Sequence, residues 1–278
     1  MERAPVTAVL ITLNEEHNLE YALRSLRPWC DEIIVVDMLS EDRTPEIAAR
    51  YADLVLPHDR IEAFDQARRT GIERARNEWI LVLDADEVIP PRLAAWITDW
   101  LRQRPDHDIA RVPRVNVFLG RWLRSSNWWP GRPRLFRRRS MRISAQLHRG
   151  LQPVPGARVM RLPKHPQLSM WHFSYGSLES LTHKTNRYTT IEARQAISRG
   201  RPRPKPRHLF PRALRPLWSY VRRRGYRDGL AGLTYAIDRA YYRYLAMAKR
   251  WDEREAPGRQ ARYDRMREGI VRGYETTD

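Results

Sequence analysis

Residues 79–87 read WILVLDADE: Trp79 to Leu83 carry no charge, and Asp84, Asp86 and Glu87 follow at once. A run this short is too small for a buried helix and right for an interior strand. The strand therefore delivers carboxylates to an edge of its sheet. In an open α/β sheet the crevice beyond the carboxyl ends of the strands is where ligands bind, so acids placed there face a ligand rather than the core. Hard oxygen donors suit Mg²⁺ or Mn²⁺, which take one or two carboxylates and fill the remaining positions with phosphate and water. Asp84-Ala85-Asp86 thus suggests a metal–diphosphate site, with a solvated strand end as the plainer alternative.

Working upstream, Val6 to Leu13 is apolar apart from two threonines. Asn14 is expected to cap a helix carrying Leu19, Leu23 and Leu26. Glu32 to Asp37 repeats the pattern: a β-branched run ending in an acid, a polar turn, and a helix through Ile47 and Ala48. Asp53 to Pro57 predicts a third strand and Glu62 to Asn77 a third helix. Three βα units ahead of the acidic turn imply a parallel, doubly wound sheet with right-handed crossovers. The strand ends at Asn14, Asp37 and Asp84 then share one edge. Asp37 is suited to accept from a base N–H or a ribose hydroxyl, unless it only caps a turn. Neither a G-x-G-x-x-G loop nor a Walker sequence occurs, which argues against dehydrogenase and P-loop classes. Any diphosphate must be held by metal and arginine.

The charge is unevenly spread over the 278 residues. Residues 1–110 hold 13 Lys+Arg and 22 Asp+Glu, and residues 111–278 hold 38 and 11. The second part thus faces something anionic, such as a membrane surface, nucleic acid or a phosphorylated substrate. Cys30 is the only cysteine, which excludes an intramolecular disulfide and a cysteine zinc cluster and fits a reducing setting. VTAVLITL is too short for a signal peptide, and no run of 18 apolar residues occurs, so any membrane contact is expected to be peripheral.

The succession VTAVLITLNEE, EIIVVDMLSEDRT, FDQARRTGIERARNEWILVLDADE resembles the nucleotide-sugar half of family 2 glycosyltransferases. The resemblance is strong over residues 5–90 and looser to about residue 251. It implies the GT-A fold, a Rossmann-like, mostly parallel sheet flanked by helices, here with a basic C-terminal helical extension. It also implies a UDP-sugar donor and Mg²⁺ or Mn²⁺. Asp37 would contact uracil, with Thr12, Leu13 and Glu15 in the base pocket. Arg68 would lie near the diphosphate, Asp84 would touch ribose or metal, and Asp86 would ligate the metal. The expected organisation is a transferase domain over 1–200, split into a nucleotide-sugar half (1–110) and an acceptor half (111–200), followed by an extension over 201–278.

Downstream, Pro90 and Pro91 open a helix with Leu93, Trp96, Ile97, Trp100 and Leu101 on one face. Ile109 to Leu119 predicts a strand. RWLRSSNWWPGRPRLFRRR mixes aromatic and basic residues, as an acceptor cleft, a stacking surface for nucleic acid or an exposed loop would. Its Arg134-Leu135-Phe136-Arg137 resembles the family's acceptor-side strand, which favours the acceptor reading, and Arg134 is counted among the expected donor-binding residues. At Gln146-Leu147-His148-Arg149, relatives acting on lipopolysaccharide core sugars usually show His-Glu, and that acid is their natural base. Arg149 replaces it here, which leaves Glu87, His148 and Asp86 as candidates, or no base at all. Trp171-His172-Phe173-Ser174-Tyr175 resembles the family's His-x-Ser-Tyr segment, where His172 is a third metal ligand, a diphosphate contact or a core histidine.

Leu178 to Arg199 predicts a helix. The Pro-rich tract 199–216 reads as a linker or surface strap. Leu230, Leu233, Ile237, Tyr241, Tyr244, Ala248 and Trp251 form a helical stripe whose usual meaning is core packing. RPLWSYVRRRGYRDG, beside it, is the better membrane contact.

These readings converge on an inverting, metal-dependent transferase moving a hexose, glucose first, from a UDP-sugar to a lipid-linked or lipopolysaccharide-type acceptor. It would work in the cytoplasm at the anionic surface of the inner membrane. The alternatives are a sugar-nucleotide-binding protein without turnover, and a basic nucleic-acid-binding protein. The latter leaves the three acidic strand ends unexplained, which disfavours nucleic acid as a partner.

Overall fold

A computed structural model of the chain describes residues 3–61, 64–125, 129–143 and 151–275. The chain divides into two compact units, Met1–Gly176 and Ser177–Asp278. The first begins with β1 (Ala4–Thr12), α1 (Leu19–Leu26), β2 (Cys30–Asp37), α2 (Thr44–Tyr51), β3 (Leu54–Pro57), α3 (Phe64–Arg74) and β4 (Trp79–Asp84). β1 lies between β2 and β4, with β3 outside β2, and all four run parallel. The apolar runs of β1, β2 and β4 are buried on both faces, as parallel strands covered by crossover helices must be, while the edge strand β3 is partly exposed. One face sets Ala8, Leu10, Ile33 and Leu81 against Leu19, Leu23, Leu93 and Ile97. The other sets Val9, Ile34, Val36 and Val82 against Ala67, Ile72 and Ala75. Register aligns Thr12 with Asp37 and Ile11 with Asp84, so the expected row of strand ends forms.

The unit continues through β5 (Glu87–Val88), α4 (Pro91–Arg102), β6 (Ile109–Phe118), β7 (Arg121–Trp122), β8 (Trp129–Arg137), β9 (Met141–Ile143), β10 (Leu151–Pro153), β11 (Val159–Arg161) and β12 (Met170–Tyr175). β8 inserts antiparallel between β4 and β6. β12 runs parallel to β6 and antiparallel to β5. The second half of the sheet is therefore mixed.

Asn14 does not cap α1, whose N-cap is Asn18. It takes a left-handed φ of 55° instead, and its Oδ1 accepts from the Glu41 amide at 2.9 Å.

The second unit holds α5 (Leu178–Ser198), α6 (Pro206–Arg222), α7 (Gly229–Glu255) and α8 (Arg259–Glu275). α5 and α6 both pack on α7. Thr185 Oγ1 donates to Asp238 Oδ1 at 2.9 Å, and Lys249 Nζ donates to Asn186 Oδ1 at 2.6 Å and Thr190 Oγ1 at 2.7 Å. These bonds tie α5 to α7 within the second compact unit.

Two sequence readings change here. Only 199–205 of the Pro-rich tract lacks helix; from Pro206 the chain is helical, because a proline in the first turn lacks an amide that would be unpaired anyway. The α7 stripe is not core: Leu230 is 78 % exposed and Ile237 53 %. The buried face consists of Ala231, Gly232, Ala236 and Asp238, whose small size allows close helix approach and leaves the large residues outside.

α3 docks on β1 and β2 through Gly71, where an added Cβ would lie 2.5 Å from Val9 Cγ1 and 3.0 Å from Val36 Cγ2. Gly→Ala ordinarily strengthens a helix by about 1 kcal/mol. Here Val9 and Val36 are fully buried and β-branched, so Gly71→Ala is expected to destabilise by about 1–3 kcal/mol in urea unfolding. An unchanged or higher midpoint would show that the α3 contact is not tight.

Candidate functional site

The sheet edge carries three groups of side chains in turn. At the first, Asp37 Oδ1 accepts from Thr12 Oγ1 at 3.0 Å and from Ser40 Oγ at 2.6 Å, while its Oδ2 accepts from the Ser40 amide at 3.0 Å. Thr12 and Asp37 are both buried. The loops after β1 and β2 are stapled together. The Asn14 amide donates to Ser40 Oγ, the Glu15 amide to Thr44 Oγ1 and the Glu16 amide to Asp42 Oδ2. Glu15 Oε2 accepts from Asn18 Nδ2 at 2.8 Å, and Leu13 packs partly buried on the second core face. Ser40, Asp42 and Thr44 lie in the SEDRT turn and hold the two loops together, although the sequence reading assigned them no role.

The second group is a charge network. Asp84 Oδ1 accepts from Arg68 Nη2 at 2.8 Å, and its Oδ2 accepts from Arg134 Nη2 at 3.1 Å. Arg134 Nη2 also donates to Glu87 Oε1 at 2.7 Å, and Arg114 Nη1 reaches the same oxygen at 3.2 Å. Glu87 Oε2 accepts from the Asp84 amide at 3.0 Å. Burial disfavours the Asp84 anion, yet the charges of Arg134 and Arg68 and the Arg134 hydrogen bond outweigh it and hold the carboxyl well below the usual range. Burial lowers the affinity of Arg134 for its proton, but Glu87 and Asp84 more than offset this and raise it. Arg132 is shifted down by burial first, and then by Arg114 and Arg134. Four arginines therefore converge on the two acids. Glu87, a candidate base in the sequence, is fully buried and engaged on both oxygens.

The third group is Asp86 with His172. Register sets His172 opposite Asn116 on β6 and opposite Glu87 on β5, and the Phe173 amide donates to the Asp86 carbonyl at 2.8 Å. His172 Nδ1 lies 2.9 Å from Asn116 Oδ1 and its Nε2 lies 3.3 Å from Asp86 Oδ2. The contact with Asn116 holds the imidazole ring so that Nε2 faces the Asp86 carboxylate. Among the described residues no group of three or more His, Cys, Asp or Glu converges as a metal cage. An ion at Asp86 and His172 would thus need oxygen ligands from a substrate or water. His148 and Arg149 lie outside the described residues.

With an acidic crevice, an arginine cluster and a βαβ scaffold in place, comparison with known proteins decides the family. Residues 7–154 match the family described as Glycosyl transferase family 2. The chain belongs to this family. Its GT-A sheet accounts for the edge on which all three groups sit. The chain is similar to the lipopolysaccharide core biosynthesis glycosyltransferase LpsC of Rhizobium meliloti (strain 1021), at 28% identity over 89% of this chain and 92% of that protein. An uncharacterized glycosyltransferase of Rickettsia bellii (strain RML369-C) is 25% identical over 88% of this chain and 85% of its own length. Among solved structures, the mannosyltransferase PcManGT from Pyrobaculum calidifontis, in complex with GDP-Man and Mn²⁺, aligns at 17% identity with a TM-score of 0.48. That alignment covers 88% of this chain and 75% of that one.

Removing the charge of one partner from a buried ion pair strands the other, at a cost of about 3–5 kcal/mol. Glu87→Gln is expected to lose that much stability in urea unfolding, because Arg134 and Arg114 keep their charge. A loss below about 1 kcal/mol, as at an exposed pair, would contradict a structural role for Glu87.

Proposed function

We propose that this glycosyltransferase moves a hexose, glucose first, from a UDP-sugar to a lipid-linked or lipopolysaccharide-type acceptor. The transfer inverts the anomeric centre and depends on Mg²⁺ or Mn²⁺. The observation that carries the reading is the Asp86–His172–Asn116 arrangement. A neutral His172 fixed by Asn116 would place its lone pair 3.3 Å from a carboxylate oxygen, which is repulsive unless a proton or a cation lies between them. One carboxylate and one imidazole, with phosphate and water to complete the shell, suit a metal that travels with a diphosphate. When bound, the ion supplies positive charge to the departing UDP.

The chain's own residues account for the remaining needs of such a donor. Asp37 accepts three hydrogen bonds from Thr12 and Ser40 and keeps about one lone pair, on Oδ2, to accept from the uracil N–H, with Glu15 and Leu13 as further base-pocket residues. Arg68, Arg132 and Arg134 place positive charge beside Asp84, where a diphosphate would compete for the guanidinium groups.

Residues 111–176 contain 14 Lys+Arg and no Asp or Glu, which fits an anionic acceptor and leaves that segment no carboxylate to act as base. The acceptor class is also supported by the likeness to LpsC, which is described as acting in lipopolysaccharide core biosynthesis. Such an enzyme would work at the cytoplasmic face of the inner membrane.

The test is UDP release from a panel of UDP-sugars with Mn²⁺, with and without membrane lipid extract, for the wild type beside Asp86→Ala. Release is expected to need metal and extract, and to fall by about 10²-fold or more in the variant. Near-normal turnover in Asp86→Ala would contradict the metal assignment. UDP-sugar binding with no release under any condition would contradict transfer.

A further inference from the structure

The second unit presents a large apolar face to solvent. Leu230, Leu233, Ile237, Tyr241, Tyr244 and Trp251 are all exposed on α7. At 3.6 residues per turn they share one side of the helix, opposite Ala231, Gly232, Ala236 and Asp238, over roughly 32 Å. The end of α6 adds Trp218, 60 % exposed, and Val221, and the turn into α7 adds Tyr226. Residues 215–227 hold five arginines and no acid. The Arg222 guanidinium lies 5.1 Å from the Trp218 ring centroid.

We infer that the exposed face of α7, together with the arginine-rich α6–α7 turn, is a seat for an anionic lipid bilayer surface. Aliphatic residues along a helix centre, aromatic rings beside them and arginines at one end match a helix lying in the plane of a membrane interface. No described helix is long and apolar enough to cross a membrane, so contact is in-plane.

Charge selects this occupant over a second copy of the chain. The acids at the far end of α7 are already paired within the unit: Glu253 with Arg194, Glu255 with Arg203 and Asp252 with Arg259. Another copy's α7 would therefore bring no free acid to Arg222, Arg223, Arg224 and Arg227, whereas phospholipid headgroups supply phosphate directly. A nucleic acid would satisfy the arginines and leave Leu230 and Ile237 in water. The inference extends the proposed membrane-borne acceptor, but its support is independent of the donor site.

The test is flotation of the full chain with mixed phosphatidylglycerol–phosphatidylcholine vesicles and with phosphatidylcholine alone. The variants are Leu230→Ser/Ile237→Ser and Arg222→Gln/Arg223→Gln, and thermal melts check that their folds hold. Wild type should float with the anionic vesicles only, and salt should weaken it. The serine pair should reduce partitioning more than about tenfold, and each arginine lost should cost roughly fivefold.

Wild-type flotation that the variants match, or no flotation with anionic vesicles, overturns the inference. So does a dimer dissolved by the serine pair, or salt-steep binding to single-stranded RNA without vesicle association. UDP-sugar binding by calorimetry on the same samples separates the two readings. Vesicle binding without UDP-sugar binding keeps the face and removes the donor proposal, and the reverse result removes only the face.

Discussion

Arg134 sits nearly out of water between Asp84 and Glu87, and the geometry of the active edge follows from that contact. β4 ends in an acidic turn that would repel itself if it folded alone. β8, antiparallel to β4, supplies the guanidinium that neutralises it, and β6 supplies Arg114. An acid-rich first half is thereby joined to a segment without a single carboxylate. Each half completes the other's electrostatics, and removing one partner of such a buried pair leaves an uncompensated charge.

The same contact divides labour among three neighbouring acids. Asp84 is held ionised by Arg68 and Arg134, so it is a poor proton acceptor and is already occupied. Glu87 has no exposure and works as an internal strut. Asp86 is the one paired with a histidine, His172, whose other nitrogen is fixed by Asn116. Two residues that look equivalent in Asp-Ala-Asp thus meet different partners, because β4 ends at Asp84 and the chain turns through Ala85 and Asp86 before β5, so the two acids do not stay on one strand face.

Much of this was legible in the sequence, for local reasons. Trp79 to Leu83 and Glu32 to Asp37 are apolar runs ending in acids, and such runs have few options other than buried parallel strands. Asp37 and Asp84 could be placed at one edge because topology places parallel strand ends together. What stayed hidden depends on long-range pairing. Asn116 gave no signal until β12 paired with β6, Arg114 was merely a basic residue in the Ile109–Leu119 strand, and Arg132 was one of many in the aromatic and basic segment after it. The burial of Glu87 follows from Arg134, 47 residues later. The α7 stripe was read as core because amphipathic spacing identifies a face without saying which side is covered. The small residues Ala231, Gly232 and Ala236, on the other side, were the available clue.

The central claim is that Asp86 and His172, and not Asp84, are the protein's ligands for the donor's metal. The direct measurement is anomalous diffraction at the manganese edge from crystals grown with UDP and Mn²⁺. The account predicts a single strong peak within bonding distance of Asp86 and His172 Nε2, with Asp84 still held by Arg68 and Arg134. A peak on Asp84 with those arginines displaced, or bound UDP with no peak at all, would contradict it.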